Sequence, residues 1–387
     1  MAVSAEKEIS RIRTDVVGSL LRPAYLKAAR RLYDDGEIGA EEFHRVEDRA
    51  IREAVGLQEA AGLDVVTDGE FRRLNFQDSF GASVSGFDAG KADIKFYEAR
   101  VQGATPLRRW DIPNAEKGKA TPVAQRRPVK EKLRLAQNLP LGEYLFVSRF
   151  ARTPAKVTLI GPDRICQRFD HAASRAVYPT VDEFVADVVR IAREIIGALV
   201  EAGCRYVQID APGYTAYVDP PSLQAMRERG EDPMENFGRS LRADNELVRG
   251  FPGVTFGIHI CRGNQRSMWH REGSYDAIAE RLFSELDHDR FLLEYDSPRA
   301  GSFEPLRFVP KGKMVVLGLV STKVPEIETV EQLKRRIGEA GRYIGLEQLA
   351  LSPQCGFASD VVGNLIDEEV QRRKLELVVE TARQLWG

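Results

Sequence analysis

Short runs of β-branched and apolar residues recur along the chain, and each run is followed by a polar or glycine-containing loop and then by a stretch of helical spacing. This order is typical of parallel βα units rather than hairpins. The eight runs are Asp15–Ser19, Leu63–Gly69, Lys156–Gly161, Tyr206–Asp210, Thr255–Cys261, Phe291–Asp296, Met314–Val320 and Leu349–Pro353. Eight parallel strands close a (β/α)8 TIM barrel, so we predict an α/β fold of this type, as a single domain over residues 1–387.

The segments between the runs have the spacing of apolar residues that is typical of amphipathic helices. In Glu183–Gly203, apolar side chains recur every three or four positions with charged ones opposite, and Glu41–Gly62 and Glu331–Gly345 show the same spacing. Such amphipathic helices pack on a sheet through one face. An open doubly wound sheet is the alternative. The barrel is favoured because polar and glycine-rich loops follow all eight runs, whereas a doubly wound sheet gathers its chemistry at one switch point.

One connection is much longer than an ordinary βα loop. Residues 80–155 separate the second and third predicted strands, which indicates an insertion with structure of its own. Within it, residues 91–134 hold twelve Lys or Arg and five acidic residues, although the whole chain carries a net charge of only −2. We interpret this basic insertion either as a lid over the barrel mouth or as a solvated arm or subunit contact.

The charge balance, the apolar runs and the cysteine count of the chain exclude several classes of protein. The near-balance of 56 basic and 58 acidic residues gives no overall field that would attract nucleic acid or an anionic membrane. No apolar run approaches the roughly 20 residues of a membrane span, and the first residues lack the apolar core of a signal peptide. Four cysteines in 387 residues are too few for a disulfide scaffold. We therefore expect a cytoplasmic protein with reduced thiols that binds neither nucleic acid nor membrane.

The candidate chemistry lies at the ends of the predicted strands. His259 and Cys261 are two residues apart on one strand, so their side chains point to the same side. Glu294 is a carboxylate inside an apolar run, where a buried charge needs a cation. Cys355 follows the eighth strand, at the edge where barrel active sites gather. One imidazole, two thiolates and one carboxylate suit a tetrahedral Zn²⁺ ion, and we predict these four residues as its ligands.

These motifs resemble a known family. Gly18-Ser19, Asp68-Gly-Glu70, Gln208-Ile-Asp210-Ala-Pro, His259-x-Cys261, Glu294 and Pro353-Gln-Cys355-Gly occur in the order seen in the catalytic barrel of cobalamin-independent methionine synthase. The resemblance covers most of the chain. It implies zinc-dependent transfer of a methyl or other alkyl group to a thiol, with His259, Cys261, Glu294 and Cys355 as zinc ligands.

The resemblance also implies a substrate site. Groups matching Ser19 (through its backbone), Glu70 and Asp210 hold homocysteine in that family, and the two carboxylates neutralise its ammonium. Glu294 and Asp210 are the predicted catalytic residues, and Glu294, as the hard oxygen ligand, is the one expected to yield to the incoming sulfur. The most favoured reaction is methylation of homocysteine to methionine. Short single-barrel relatives include epoxyalkane:coenzyme M transferase, so coenzyme M or another small thiol is the alternative acceptor.

The chain departs from the family pattern where the methyl donor binds. The tryptophan that stacks on the pterin has no counterpart in Leu159–Cys166, and Gly318–Lys323 lacks the histidine that serves the folate leaving group. These departures disfavour methylfolate as the donor, whereas a methylcorrinoid protein or a reactive small electrophile remains open. Two further alternatives are a metal-free lyase or decarboxylase on the same barrel, like uroporphyrinogen decarboxylase, and a non-catalytic protein that docks a corrinoid carrier. We also predict that Asp296 and Arg299 form an ion pair that orders their loop, and that Ser321–Lys323 is an exposed polar loop.

Overall fold

The computed structural model describes residues 9–88, 93–94, 100–101 and 124–387. Its α-helices are α1 (Ala24–Asp34), α2 (Ala40–Ala61), α3 (Asp78–Gly81), α4 (Leu139–Val147), α5 (Pro162–Gln167), α6 (His171–Ser174), α7 (Val181–Glu201), α8 (Pro220–Glu228), α9 (Pro233–Val248), α10 (Ala279–Glu285), α11 (Val330–Ala340) and α12 (Glu368–Trp386). Its strands are β1 (Val84–Phe87), β2 (Asp93–Ile94), β3 (Arg100–Val101), β4 (Ala124–Arg126), β5 (Val129–Leu135), β6 (Val157–Ile160), β7 (Tyr206–Asp210), β8 (Thr255–Ile260), β9 (Met268–Trp269), β10 (Arg290–Glu294), β11 (Met314–Val320) and β12 (Leu349–Pro353).

A parallel sheet of six strands organises the molecule. Its order is β12-β11-β10-β8-β7-β6, and these strands correspond to the last six of the eight predicted runs. Every residue of the six strands is buried, as expected for parallel strands that are covered on both faces. The register pairs Asp210 with His259 and Glu294 with Gly318. The carboxyl ends of the strands, which carry the candidate chemistry, therefore lie along one edge of the sheet.

The first two predicted runs do not form strands in the structure. One parallel bridge attaches each segment to the sheet: Thr14, directly before the first run, pairs with Leu351 of β12, and Val66 pairs with Ala155, two residues before β6. A side chain binds the backbone directly before the first run. The Asp64 carboxylate accepts from the backbone of Arg13 and Thr14 at 3.1 and 3.0 Å. The α/β fold and its parallel sheet are thus confirmed, while closure into an eight-stranded barrel stays a prediction.

The predicted outer helices form with small differences at their ends. α2 ends where Gly62 adopts a left-handed conformation with φ of 88°, which provides the expected C-terminal stop. α7 packs its apolar face against β6 and β7 in a cluster that includes Phe184 and Leu199. α11 ends at Ala340, five residues earlier than predicted.

The described parts of residues 80–155 contain two paired strands and a helix. β1 and β5 pair as antiparallel strands, and α4 follows them. Most of the basic stretch falls on residues 89–92, 95–99 and 102–123, which lie outside the described residues, so the interpretation as a lid stays a prediction. Among the described residues, we find no helix of sufficient length and apolar character to cross a membrane.

Candidate metal centre and substrate cavity

Three of the four predicted metal ligands come together at the carboxyl edge of the sheet. The ligand atoms of His259, Cys261 and Cys355 all lie within 4.8 Å of one another, and all three residues are buried. Cys355 Sγ lies 3.5 Å from His259 Nε2 and 3.9 Å from Cys261 Sγ. We call these three residues the ligand group. The imidazole of His259 on β8 and the thiol of Cys261 directly after β8 lie at one site, and Cys355 reaches them from the loop after β12.

Hydrogen bonds between two loops fix the positions of the cysteines. Asn264, three residues after Cys261, donates from Nδ2 to the carbonyl oxygen of Gly356 at 2.6 Å. Asn364 donates to Asn264 Oδ1 at 3.0 Å. Because Gly356 directly follows Cys355, the Asn264 amide ties the two cysteine-bearing loops together. The sequence analysis did not identify this residue, although its position within Cys-Arg-Gly-Asn offered a weak signal.

The hydrogen bond between the two thiols of the ligand group shifts their pKa values in opposite directions. Cys355 donates a hydrogen bond to Cys261, which lowers the pKa of Cys261 well below its usual value and raises that of Cys355. Burial acts to lower the pKa of His259, but the negative charges of Cys261, Asp210 and Glu294 raise it overall. His259 Nδ1 is buried with no hydrogen-bond partner among the described residues. One thiolate is therefore already favoured in this buried pocket.

Glu294, the fourth predicted ligand, lies outside this group of three. Its Oε1 accepts from Arg299 Nε at 2.8 Å, and its Oε2 accepts from the backbone N–H of Arg262 at 2.6 Å. Burial alone would raise the pKa of Glu294, but the charges of Lys323, Arg299 and Arg262 lower it to about 2. The cation that a buried carboxylate requires is thus supplied by the protein. The role of Glu294 as a metal ligand stays a prediction.

Two of the sequence-based predictions concern the loops close to Glu294. The predicted ion pair forms, with Arg299 Nη2 2.7 Å from Asp296 Oδ1. The prediction that Ser321–Lys323 is exposed was wrong, because all three residues are buried. Lys323 Nζ has no hydrogen-bond partner among the described residues. The apolar run of β11 leads directly into this loop, and Ser321 Oγ donates to Asp296 Oδ2 at 2.8 Å, which draws the loop inward.

A cavity of about 1080 Å³ opens onto the ligand group and is also lined by Ser19, Glu70 and Asp210. Glu70 has a left-handed backbone with φ of 58°, an uncommon conformation for a residue with a side chain. Arg22 holds this turn by donating to the Glu70 carbonyl at 2.8 Å. Glu70 Oε1 accepts from Thr158, whereas its buried Oε2 has no partner among the described residues. A free carboxylate oxygen at a cavity wall is available to a ligand.

Asp210 and Ser19 line the same cavity. Burial raises the pKa of Asp210 to about 7, while Gln208 Nε2 donates to its Oδ1 at 2.7 Å. The carbonyl of Ser19 accepts from Phe357, two residues beyond Cys355, at 2.8 Å. A Cβ at position 356 would lie only 2.0 Å from Ser19 Oγ, so any side chain there would force the Ser19 hydroxyl to move. The structure therefore brings all predicted substrate-binding residues to the cavity that contains the ligand group.

A buried ion pair behind Glu70 was also missed by the sequence analysis. Arg73 Nη2 lies 2.6 Å from Glu143 Oε2, and Arg73 Nη1 lies 3.6 Å from Glu70 Oε1. Burial raises the pKa of Glu143 to about 7. Arg73 stands only three residues after Glu70, but Glu143 comes from α4 in the insertion, and no local pattern connects the two. Part of the insertion thus supports the wall of the cavity.

Comparison with known proteins places this geometry in a family. A family model described as the catalytic domain of cobalamin-independent synthase matches residues 12–132 and 171–384. The uncharacterized protein YxjH of Bacillus subtilis is 38% identical over 97% of this chain and 94% of its own length. The methionine synthase of Pyrococcus abyssi is 28% identical over 97% of this chain and 93% of its own length. Both relatives thus match almost end to end.

A solved structure gives the same result for the fold. A B12-independent methionine synthase from Shewanella sp. W3-18-1, determined in complex with selenomethionine, superposes with a TM-score of 0.70 at 18% identity, over 97% of each chain. The family model covers most of the chain and includes the strands that carry the ligand group. The chain belongs to the cobalamin-independent methionine synthase family of methyltransferases.

Proposed function

We propose that this protein methylates a thiol amino acid, homocysteine, to give methionine, and that it uses a zinc ion held by His259, Cys261 and Cys355, with Glu294 as the fourth ligand. The observation that carries the proposal is the meeting of an imidazole and two thiols within 4.8 Å at the base of a cavity. Membership of the methionine synthase family supports the same reaction.

The residues of the ligand group fit zinc. Sulfur and imidazole nitrogen are the donors that Zn²⁺ prefers, and His259 Nε2 lies 3.5 Å from Cys355 Sγ in this group. When bound, zinc lowers the pKa of a substrate thiol so that the sulfur is a nucleophilic thiolate at neutral pH. Two thiolates and one carboxylate make the site electron-rich, which favours attack by sulfur over hydrolysis.

Glu70 and Asp210 are suited to hold an ammonium group. Both are buried carboxyl groups on the cavity wall, and Glu70 Oε2 has no partner among the described residues. An ammonium group donates three hydrogen bonds and neutralises buried negative charge, so it satisfies both residues at once. Ser19, which is fixed beside Gly356, would orient the amino acid through its backbone. These contacts would hold the thiol of homocysteine towards the ligand group.

The donor shares the same cavity. Its volume of about 1080 Å³ is at the upper end of the range for small-molecule sites and leaves space beyond a bound amino acid. Methylfolate and a methylcorrinoid protein are the two donors that the proposal includes. Segment 13–19 bridges to β12, and segment 63–69 bridges to Ala155 next to β6. We further propose that these two segments complete the wall of an eight-stranded barrel around this cavity.

The test measures zinc and product separately. Purified protein is expected to bind about one Zn²⁺ per chain, and Cys261→Ser and Cys355→Ser are each expected to lose it. Cys204→Ser is the matched control, because Cys204 is buried at the opposite end of β7, where its thiol donates to a backbone carbonyl. Thioether formation is followed by mass spectrometry with homocysteine or coenzyme M and each donor.

Full activity in a zinc-free cysteine variant would refute the zinc mechanism. Preference for coenzyme M over homocysteine would reassign the acceptor to a sulfonate thiol. Zinc binding without turnover of any thiol would favour a binding protein.

A further inference from the structure

A network of ion pairs surrounds Glu294, whose negative charge acts on Cys261 and Cys355 of the ligand group. Arg299 Nε donates to Glu294 Oε1 at 2.8 Å, and Arg299 Nη2 donates to Asp296 Oδ1 at 2.7 Å. Ser321 Oγ holds the other oxygen of Asp296. The guanidinium of Arg299 also lies over the ring of Trp269, 4.8 Å from its centroid. Arg299 is thus fixed by two carboxylates and one aromatic ring.

The charges around Glu294 compete with a metal ion for its carboxylate. Arg299 occupies Oε1, the backbone of Arg262 occupies Oε2, and Lys323 contributes a further positive charge nearby. Arg262 is fully buried, and its guanidinium donates hydrogen bonds to neutral groups. Its positive charge therefore also acts on Glu294. A bond between Glu294 and a metal therefore weakens a buried ion pair, whereas bonds from Cys261 or Cys355 carry no such cost.

We propose that Arg299 is a positioning residue that shares Glu294 with the metal and takes the carboxylate over when a thiol substrate binds. This inference rests on the proposed function. With zinc bound, one carboxylate oxygen of Glu294 would be replaced by one sulfur of the substrate, and the thiol proton would be released to solvent, so the number of donors would stay the same. Asp296 tunes the exchange, because it draws off part of the charge of Arg299 that would otherwise act on Glu294.

Two substitutions are expected to act in opposite directions. Arg299→Gln frees Glu294 for the metal, so Zn²⁺ affinity without thiol should rise and homocysteine affinity should fall, each by roughly tenfold as for other residues that orient metal ligands. Asp296→Asn leaves Arg299 more strongly paired with Glu294, so Zn²⁺ affinity should fall and homocysteine affinity should rise. A merely structural role predicts that both affinities fall in both variants.

Both affinities are measured without turnover. Zn²⁺ affinity is obtained by competition with a chromophoric chelator, and homocysteine affinity from the absorption of Co²⁺-loaded protein. Arg336→Gln is the matched control, because Arg336 donates to the carbonyl of Tyr295 and lies over Phe303 without reaching Glu294. In a Glu294→Gln background, Arg299→Gln is expected to change neither affinity.

The outcomes separate the two proposals. Loss of both affinities in Asp296→Asn, or an equal effect of Arg299→Gln with and without Glu294, overturns the positioning role. If Arg299→Gln fails to fold, the opposite shifts of Asp296→Asn still decide the question. If the unaltered protein binds Zn²⁺ and homocysteine but the variants shift neither affinity, the inference alone fails. If the unaltered protein binds no Zn²⁺, the proposed function fails with it.

Discussion

Two buried polar regions lie at opposite ends of the parallel sheet. At the amino ends of the strands, Asp15 contacts Lys156 at 2.6 Å, Arg290 at 3.2 Å and the hydroxyl of Tyr206 at 2.7 Å. Lys156 also donates to Gln208 and to a backbone carbonyl. Every charged group of this network has a partner, and none of its members lines the cavity.

The region at the carboxyl ends is equally buried but incompletely paired. Glu70 Oε2, His259 Nδ1 and Lys323 Nζ have no hydrogen-bond partner within the part of the chain that the structure describes. A buried polar atom without a partner costs free energy, and such atoms are uncommon in native proteins. The difference indicates that the first network stabilises the fold, whereas the second region is arranged for groups that bind to it.

Lys156→Met should have the largest effect on stability. It leaves the buried carboxylate of Asp15 with Arg290 as its remaining charged partner, and breaking a buried ion pair typically costs about 3–5 kcal/mol. We expect urea unfolding to show a loss of this size, with Zn²⁺ bound per folded chain unchanged. The control is Lys313→Met, which should reduce the free energy of unfolding by less. Lys313 is half-buried, lies directly before β11 and donates to the carbonyl of Leu286. A stability equal to that of the unaltered protein would contradict the assigned structural role.

Glu70→Gln should show the opposite profile. The amide oxygen still accepts from Thr158, and Arg73 keeps its pair with Glu143, so the free energy of unfolding should change little. Loss of the negative charge should weaken homocysteine binding by roughly 100-fold, or about 2.7 kcal/mol. The matched ligand is 4-sulfanylbutanoate, which lacks the ammonium and should bind both proteins equally. An equal loss for both thiols would show that Glu70 does not face the ammonium.

The same contrast explains which features the sequence predicts. Six of the eight predicted strands form, because runs such as Met314–Val320 combine β-branched residues with complete burial. The first two runs contain comparable apolar residues, yet each is attached to the sheet by only one bridge, and Asp64 binds the backbone of residues 13 and 14 directly before the first run. That interaction joins positions about fifty residues apart, and a pattern along the chain does not contain it.

Prediction of the site was limited in the same way. Local spacing places His259 beside Cys261, and the strand-end rule adds Cys355. Spacing along the sequence does not reveal which side chains from distant segments pair with these residues. The argument that Glu294 needs a cation was sound, but Arg299 supplies one only five residues away, and the sequence analysis assigned it to Asp296 alone. Whether a buried charge awaits a ligand depends on contacts that only the fold reveals.

Asn264→Ala tests the link between the two cysteine loops. Removal of the amide leaves the Gly356 carbonyl without this donor and lets Cys355 move relative to Cys261, so Zn²⁺ affinity should fall by roughly 10- to 100-fold, the range for residues that orient metal ligands. Chelator competition measures the affinity. Asn245→Ala, at a surface asparagine that caps a distant loop, is the control. Unchanged affinity would show that the cysteines are held without this bridge.

Asp244 tests whether an unpartnered buried atom always indicates a ligand site. Its Oδ1 also lacks a partner among the described residues, but the side chain does not line the cavity. Burial raises the pKa of Asp244 to about 8, compared with about 3.9 for an unfolded chain, so at neutral pH the folded protein holds a proton that the unfolded chain has released. A neutral carboxyl group tolerates an unpaired oxygen far better than a carboxylate does. An unpartnered atom therefore indicates a ligand site only when it faces a cavity.

The pH dependence of stability checks this reading. The contribution of a protonated Asp244 is complete below about pH 4 and is lost as the pH rises to about 8. Asp244→Asn removes this dependence, so the stability of the unaltered protein relative to the variant should decline from pH 5 to pH 8, by at most about 1.4 kcal/mol per pH unit. Tyr214→Phe removes the 2.6 Å hydrogen bond to Asp244 but keeps the carboxyl group, and the decline should persist. Parallel stability curves for Asp244→Asn and the unaltered protein would mean that Asp244 is ionised in the fold, and its unpaired oxygen would then require a ligand of its own.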